Sequence, residues 1–197
     1  MDFKILENKL KVYKIKYFET IDSTHKYIKE HASDLEDRTI AIADKQESGI
    51  GTHGRMWYTG DANNIAMSIL IKPNCDVNKL NNITTEIAKA IQDAIKEKYN
   101  INLEIKYPND LLLNNKKICG ILTEIRSISK EVTHLIISVG FNVNEVNFDS
   151  ETEKIATSLK KEFKKNFNRE EIILKIVEKI KNEILINLTS QTNENFY

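Results

Sequence analysis

A chain of 197 residues is long enough for one domain with a substantial core. Its 29 Lys+Arg balance 29 Asp+Glu, and 41% of its residues are hydrophobic, a soluble globular composition without a basic surface for nucleic acid or anionic membrane. Two isolated cysteines (Cys75 and Cys119) and four scattered histidines give no metal-ligand spacing. The N-terminus has no secretory core and no window spans a bilayer, so the sequence predicts a soluble, cytoplasmic protein with no metal site.

Val12 to Phe18 alternates apolar and polar residues and reads as a strand. Asp22 or Ser23 is a natural N-cap for a short helix over residues 24–31. The compact run within Arg38–Lys45 reads as a buried strand that feeds a glycine-rich loop, residues 46–57. Asp61-Ala62-Asn63-Asn64 is turn chemistry, and Ile65 to Ile71 is another apolar strand. Ile83, Ile87, Ile91 and Ile95 recur every four residues and predict a helix over about 80–98 that packs one face on a sheet.

Ile101 to Lys106 alternates again as a strand, interrupted by Tyr107-Pro108-Asn109-Asp110. Leu111 to Ile118 reads as a hairpin around a tight Asn114-Asn115 turn. Strands near Cys119–Ile125 and His134–Val139 follow, then a short helical piece over Ile155–Leu159 and an amphipathic helix over Arg169–Leu188. The predicted fold is α+β, a mixed and mainly antiparallel sheet covered by helices, in one domain over 1–188 with a frayed 189–197 tail.

Three of the six glycines (Gly49, Gly51, Gly54) and the single tryptophan (Trp57) fall in the loop 46–57. Glycine is retained where a backbone turns sharply or approaches a ligand closely, so this reads as a binding loop. Gly49-x-Gly51-x-x-Gly54 matches the dinucleotide fingerprint in letters, but that fingerprint needs a helix to begin in the loop, and here a turn and a strand follow. A P-loop is excluded by Arg55 and Met56 in place of Lys and Ser/Thr, and a kinase loop by the lack of catalytic HRD and DFG segments.

Five segments in order resemble the biotin protein ligases, the biotin–[acetyl-CoA-carboxylase] ligases. They are Asp22-Ser23-Thr24, the loop Gln46–Trp57, Lys106-Tyr107-Pro108-Asn109-Asp110-Leu111, Lys117-Ile118-Cys119-Gly120-Ile121-Leu122-Thr123-Glu124 and Ser138-Val139-Gly140-Phe141-Asn142-Val143-Asn144. The resemblance covers about residues 16–145 and implies the class II aminoacyl-tRNA synthetase-like fold of biotin and lipoate ligases. It implies an enzyme that joins biotin and ATP, with Mg²⁺ on the nucleotide, into biotinyl-5′-AMP. A lysine of a biotin carboxyl carrier protein then takes the biotinyl group.

By resemblance, Lys106 bridges the biotin carboxylate and the phosphate, with Arg55 as the phosphate-side cation, and these two are the catalytic pair. Ser23, Thr24 and Gln46 match positions that hydrogen-bond the biotin ureido ring; Gly49, Ile50, Gly51 and Gly120 complete that site. Met56, Trp57, Asn109, Lys117 and Asn142 match the nucleotide side, Trp57 as a cover over the adenylate and Asn109 as a ligand or Mg²⁺-side contact. The family loop is typically Gly-Arg-Gly-Arg-x-Gly-Arg, whereas Ile50 and Thr52 replace the first two arginines here. Fewer fixed cations imply weaker retention of the adenylate or its slower formation. About fifteen residues precede the first catalytic strand, too few for a DNA-binding winged helix, and there is no room for the family's C-terminal barrel unless the chain is truncated; no DNA and no membrane partner is expected, and a homodimer is left open. A lipoate or octanoate ligase or transferase of the same fold is the alternative, and a non-catalytic biotin or adenylate sensor is the other.

Overall fold

The computed structural model of the chain describes residues 1–54, 56–58 and 63–189. Arg55, half of the predicted Asp61–Asn64 turn and the tail from residue 190 lie outside the described residues. Eight strands form one sheet: β1 (Lys14–Ile21), β2 (Thr39–Gln46), β3 (Ile65–Ile71), β4 (Cys75–Asp76), β5 (Glu104–Lys106), β6 (Asp110–Leu113), β7 (Lys116–Ile128) and β8 (Glu131–Phe141). Their order is β1-β2-β3-β8-β7-β6-β5, with β4 paired to β8 off this path. Among the described strands only β1 and β2 run parallel, and such a pair needs a crossover, which α2 (Thr24–His31) supplies. The sheet is therefore mixed and mainly antiparallel, as expected.

Strand alternation sorts the sheet into two faces. Ile40 and Ile42 of β2, Ile65, Met67 and Ile69 of β3, Ile137, Val139 and Phe141 of β8, and Cys119 and Ile121 of β7 all point into the main core. Two helices cover that face, α3 (Ile83–Tyr99) and α6 (Arg169–Ile180). The isoleucine stripe of α3 and Ile172, Ile173, Ile176 and Ile180 of α6 are buried there. A buried isoleucine cut back to alanine in such a core costs about 2–5 kcal/mol, so these stripes hold the helices to the sheet.

The opposite face is different, and it carries the site. Only a small cluster covers it, Ile28 and Ala32 of α2 against Ala41, Leu70 and Ile136. Apart from Leu122, the central positions of this face are small or polar: Ala66 and Ser68 on β3, Ser138 and Gly140 on β8, Gly120 on β7. These residues make a depression where a larger side chain would make a core.

Several boundaries differ from the sequence expectations. A first helix, α1 (Phe3–Lys9), precedes the strands, capped by Asp2. Of the predicted strand over Ile101–Lys106 only β5 pairs; Ile101 and Leu103 are buried by packing on the core instead. The expected helical piece over Ile155–Leu159 is split into α4 (Thr152–Ile155) and α5 (Leu159–Phe163). Between them Ala156 bridges Lys117 and the Thr157 N–H donates to the Lys117 carbonyl at 2.9 Å, a sheet contact that pulls the segment out of helix. The last helix follows α6 through one wide π turn, Lys181–Leu185, into α7 (Ile186–Thr189). The Asn114-Asn115 turn is as expected, with both residues left-handed at φ 52° and 61°.

Candidate functional site

A row of cross-strand partners crosses the depressed face: Ala43, Ala66, Gly140, Gly120, Asp110 and Lys106, each opposite the next. Four of the six have a methyl group or nothing as a side chain, so the row is a trough across the strands. It is smooth at its β2 end and charged at its β5 end. Three strand spacings separate Gly140 from Lys106, about 14 Å.

Trp57 lies over the middle of this trough. A Cβ on Gly140 would sit 2.3 Å from Trp57 Cε2 and 2.4 Å from Nε1, and one on Gly120 would sit 2.8 Å from Cζ3. The two facing glycines are therefore the seat of the indole. The loop reaches this position as a tight hairpin, with Ile50 bridging Met56 and the Trp57 N–H donating to the Gly49 carbonyl at 2.8 Å. A Cβ on Gly49 would fall 2.4 Å from the Trp57 carbonyl oxygen, so close backbone approach accounts for that glycine. The indole N–H is buried and has no hydrogen-bond partner.

The indole divides the trough into two compartments. The inner pocket is tight, with a cavity volume of about 40 Å³. Its polar wall comes from the start of α2 and the end of β2: Ser23, Thr24, His25 and Gln46, with Ser138 from β8. Ser23 caps α2 by accepting from the Lys26 N–H at 3.4 Å. Gln46 Oε1 accepts from the Thr24 N–H at 2.8 Å and from Thr24 Oγ1 at 3.0 Å. That pair of contacts orients the Gln46 amide.

The outer groove is wider, about 440 Å³, and is lined by Lys106, Lys117, Lys154, Asp110, Asn115 and Asn142 among others. Lys117 Nζ lies 2.6 Å from an Asp110 oxygen and 5.3 Å from the Trp57 ring centroid, so it ties the groove floor to the indole. Phe148, Ile155 and Ala156 give the groove an apolar far wall. A compact polar pocket that opens past an aromatic partition into a cationic groove suits a small polar head group bound next to a phosphorylated one.

The sequence-derived residues divide between these spaces. Ser23, Thr24, Gln46, Ile50, Gly51 and Gly120 line the inner pocket, and Gly49 holds the hairpin behind it. Trp57, Lys117 and Gly51 border both spaces. Met56, Lys106 and Asn142 line the outer groove. Asn109, assigned by resemblance to the nucleotide side, lines the inner pocket and donates from Nδ2 to the Ile121 carbonyl at 3.3 Å. Lys106, assigned to both ligands, lines the outer groove.

Sequence reasoning missed a chain of buried polar groups behind the inner wall. Thr24 Oγ1 is 2.9 Å from Ser68 Oγ, Ser68 Oγ is 2.8 Å from Ser138 Oγ, and Ser138 Oγ is 2.9 Å from His25 Nδ1. His25 Nε2 then meets Glu124 Oε2 at 3.2 Å, and Lys29 pairs with Glu124 at 2.9 Å. Burial pushes the His25 imidazole below its ordinary range, with Lys29 adding to that effect and Glu124 opposing it. The ring is therefore neutral at pH 7, and its Glu124 contact is a hydrogen bond rather than an ion pair. The readable signal was a serine inside each of two apolar runs, Ser68 within Ile65–Ile71 and Ser138 within Ile136–Val139.

Fold and site together define a two-compartment small-molecule domain built on an open, mainly antiparallel sheet. The chain belongs to the biotin/lipoate A/B protein ligase family, whose model matches residues 17–142. It is 35% identical over 164 residues to the bifunctional ligase/repressor BirA of Bacillus subtilis, covering 82% of this chain and 50% of that protein. It is 30% identical over 124 residues to the biotin–[acetyl-CoA-carboxylase] ligase of Paracoccus denitrificans, covering 62% of this chain and 51% of that protein. The chain thus spans about half the length of these relatives. Among solved structures, the biotin protein ligase from Aquifex aeolicus in complex with biotin and ATP is similar with a TM-score of 0.77 and 26% identity, over 90% of this chain and 72% of that one.

Proposed function

We propose that this chain is the catalytic unit of a biotin protein ligase, acting over residues 1–188. It activates biotin with ATP and delivers it to a lysine of a biotin carboxyl carrier protein. The observation that carries this reading is the polar inner wall. Ser23, Thr24, Gln46 and Ser138 bring hydroxyl and amide groups to one enclosed pocket. A cyclic urea has two N–H donors and a carbonyl acceptor to meet these groups, whereas the dithiolane of lipoate brings no N–H or carbonyl to this wall. The names of the relatives and the ATP and biotin of the Aquifex aeolicus complex support the same reading.

In this mechanism the urea head enters the inner pocket and the acyl tail crosses the trough beside the Trp57 indole toward Lys106. A carboxylate oxygen attacks the α-phosphorus of ATP, the bond to the β-phosphate oxygen breaks, and pyrophosphate leaves. The neutral amine of the carrier lysine then attacks the acyl carbonyl; AMP leaves with the electron pair and the amine loses a proton. Both steps build negative charge at the β5 end of the trough, where Lys106 and Lys117 stabilise it and Arg55 is assigned the same task. Mg²⁺ enters with the triphosphate. The partnerless indole N–H of Trp57 gains an acceptor when the outer groove fills with nucleotide.

The test is incubation with ATP, Mg²⁺ and either biotin or lipoate, reading pyrophosphate release and acylation of a carrier domain. Biotin-dependent release with carrier biotinylation is expected, and Lys106→Ala lowers both about 10²–10³-fold while the exposed position leaves the fold intact. Lipoate-dependent acylation would replace this reading with the lipoate one. Tight biotin binding without pyrophosphate release would mark a sensor.

A further inference from the structure

Acylation of the carrier lysine leaves one proton to be placed. A lysine amine, with an ordinary pKa of about 10.4, attacks in its neutral form and becomes an ammonium in the tetrahedral adduct. Unless that proton is removed, the adduct expels the amine it has just gained rather than AMP. The group that takes it has to stand beside the acyl carbonyl, next to the space for the phosphate. Among the described residues that line the outer groove, Asp110 is the only carboxylate; the others bring lysine cations, amides, hydroxyls and apolar groups.

Asp110 also stands in the row that crosses the trough. It opposes Gly120 on one side and Lys106 on the other, one strand spacing of about 4.8 Å from each. Directly opposed residues share a face of the sheet, so its carboxylate lies between Gly120, under the indole, and Lys106, assigned to the acyl and phosphate groups. The backbone is anchored beside it: the Asn109 carbonyl accepts from the Ile121 N–H at 2.9 Å, and Asn109 Nδ2 donates to the Ile121 carbonyl at 3.3 Å. Leu111, the next residue, is fully buried on the core side, which keeps Asp110 turned to the groove.

Lys117 Nζ meets this carboxylate at 2.6 Å, yet the oxygen it meets is buried and makes no aligned hydrogen bond. An adenylate phosphate in the groove competes with Asp110 for the same ammonium. We propose that Asp110 is the catalytic base of the transfer step: Lys117 passes from Asp110 to the phosphate, and the freed carboxylate takes the proton from the adduct nitrogen. The C–N bond is then complete, the bond from the acyl carbon to the phosphate oxygen breaks, and AMP leaves with that electron pair. Asp110, now neutral, returns the proton to solvent. The proposal rests on the acyl-adenylate reading of the two compartments. An Asp110 that only neutralised Lys117 would act on every nucleophile alike, whereas a base matters most where the adduct holds its proton tightly.

The experiment gives biotinyl-AMP, without ATP, to an excess of the whole chain and follows a single turnover with two nucleophiles, a biotin carboxyl carrier domain and hydroxylamine. Wild type, Asp110→Asn and Asp110→Glu are compared. Hydroxylamine is small and weakly basic, so its adduct gives its proton to water without help. Asp110→Asn is expected to slow biotinylation by saturating carrier about 10²-fold at pH 7, and to slow hydroxamate formation by less than about threefold. The carrier deficit should shrink about tenfold per pH unit between pH 7 and 9, as hydroxide takes over the proton. Asp110→Glu keeps a carboxylate and should transfer to the carrier faster than Asp110→Asn. The hydroxylamine reaction reports in the same sample that the adenylate is seated, so a folding defect shows itself there. Equal losses with both nucleophiles, a deficit constant with pH, or no advantage of Glu over Asn would overturn the inference alone. A wild type that acylates neither nucleophile would overturn the acyl-adenylate reading and this inference with it.

Discussion

Gly140→Ala separates the stability of the fold from the seating of the loop. Gly140 is in the middle of β8, opposite both Ala66 and Gly120, and its backbone does not have positive φ. Alanine suits such a strand position, and replacing glycine there stabilises a strand interior by roughly 0.5–1 kcal/mol. The added methyl, however, would lie 2.3 Å from Trp57 Cε2, less than any van der Waals contact allows, so the indole has to leave its seat. Losing the burial of one large apolar side chain costs about 2 kcal/mol, equivalent to roughly a thirtyfold shift toward the open loop. Trp57 is the single tryptophan of the chain, so its emission reports on this site without background. The expected result is red-shifted, more quenchable fluorescence and weaker nucleotide binding, with a melting temperature only slightly below that of the wild type because the strand gain offsets part of the lost burial. Unchanged emission together with unchanged nucleotide affinity would refute the assignment of the paired glycines as the indole seat.

Gly49→Ala puts its methyl against the Trp57 backbone rather than the ring, so it should open the hairpin itself; adenylate formation is expected to fall at least tenfold with the sheet intact by circular dichroism. Asp44 accepts hydrogen bonds from Tyr17 and, at 2.9 Å, from Arg169, linking β2 to the start of α6. Burial would push its carboxyl up, but these partners hold it below the ordinary range, so its contribution to stability is present above about pH 4 and lost as pH falls through the depressed value. Asp44→Ala leaves the partly buried Arg169 without a counter-charge, and a loss of about 3 kcal/mol in urea unfolding at pH 7 is expected. With Ile50 and Thr52 at loop positions where the family typically has arginine, the proposed biotinyl-AMP should escape: the chain should label bystander lysines without a docked carrier, and Ile50→Arg with Thr52→Arg should suppress that labelling.

The sheet, its faces and most of the site were legible because alternation and four-residue spacing are local signals. The α3 stripe of Ile83, Ile87, Ile91 and Ile95 needed no partner to be read, and the same alternation that buries Ile137 and Val139 turns Ser138 and Gly140 to the opposite face. What the sequence hid was long-range. Ala156 and Thr157 leave helix because of Lys117, some forty residues away, and nothing in their own side chains announces that contact. Lys106 and Asn109 are near neighbours in sequence, yet a tight turn sends them to different compartments. His25 looked like the second residue of a short helix; only the fold brings Ser138 and Glu124, from two different strands, to its two ring nitrogens.

The most direct measurement of the central claim is pyrophosphate release by the purified chain with ATP and Mg²⁺, with biotin or lipoate as the acyl substrate, followed by mass analysis of a biotin carboxyl carrier domain. The expected result is release that depends on biotin and a carrier lysine heavier by one biotinyl group. Release with lipoate and none with biotin, or no release with either, would contradict it.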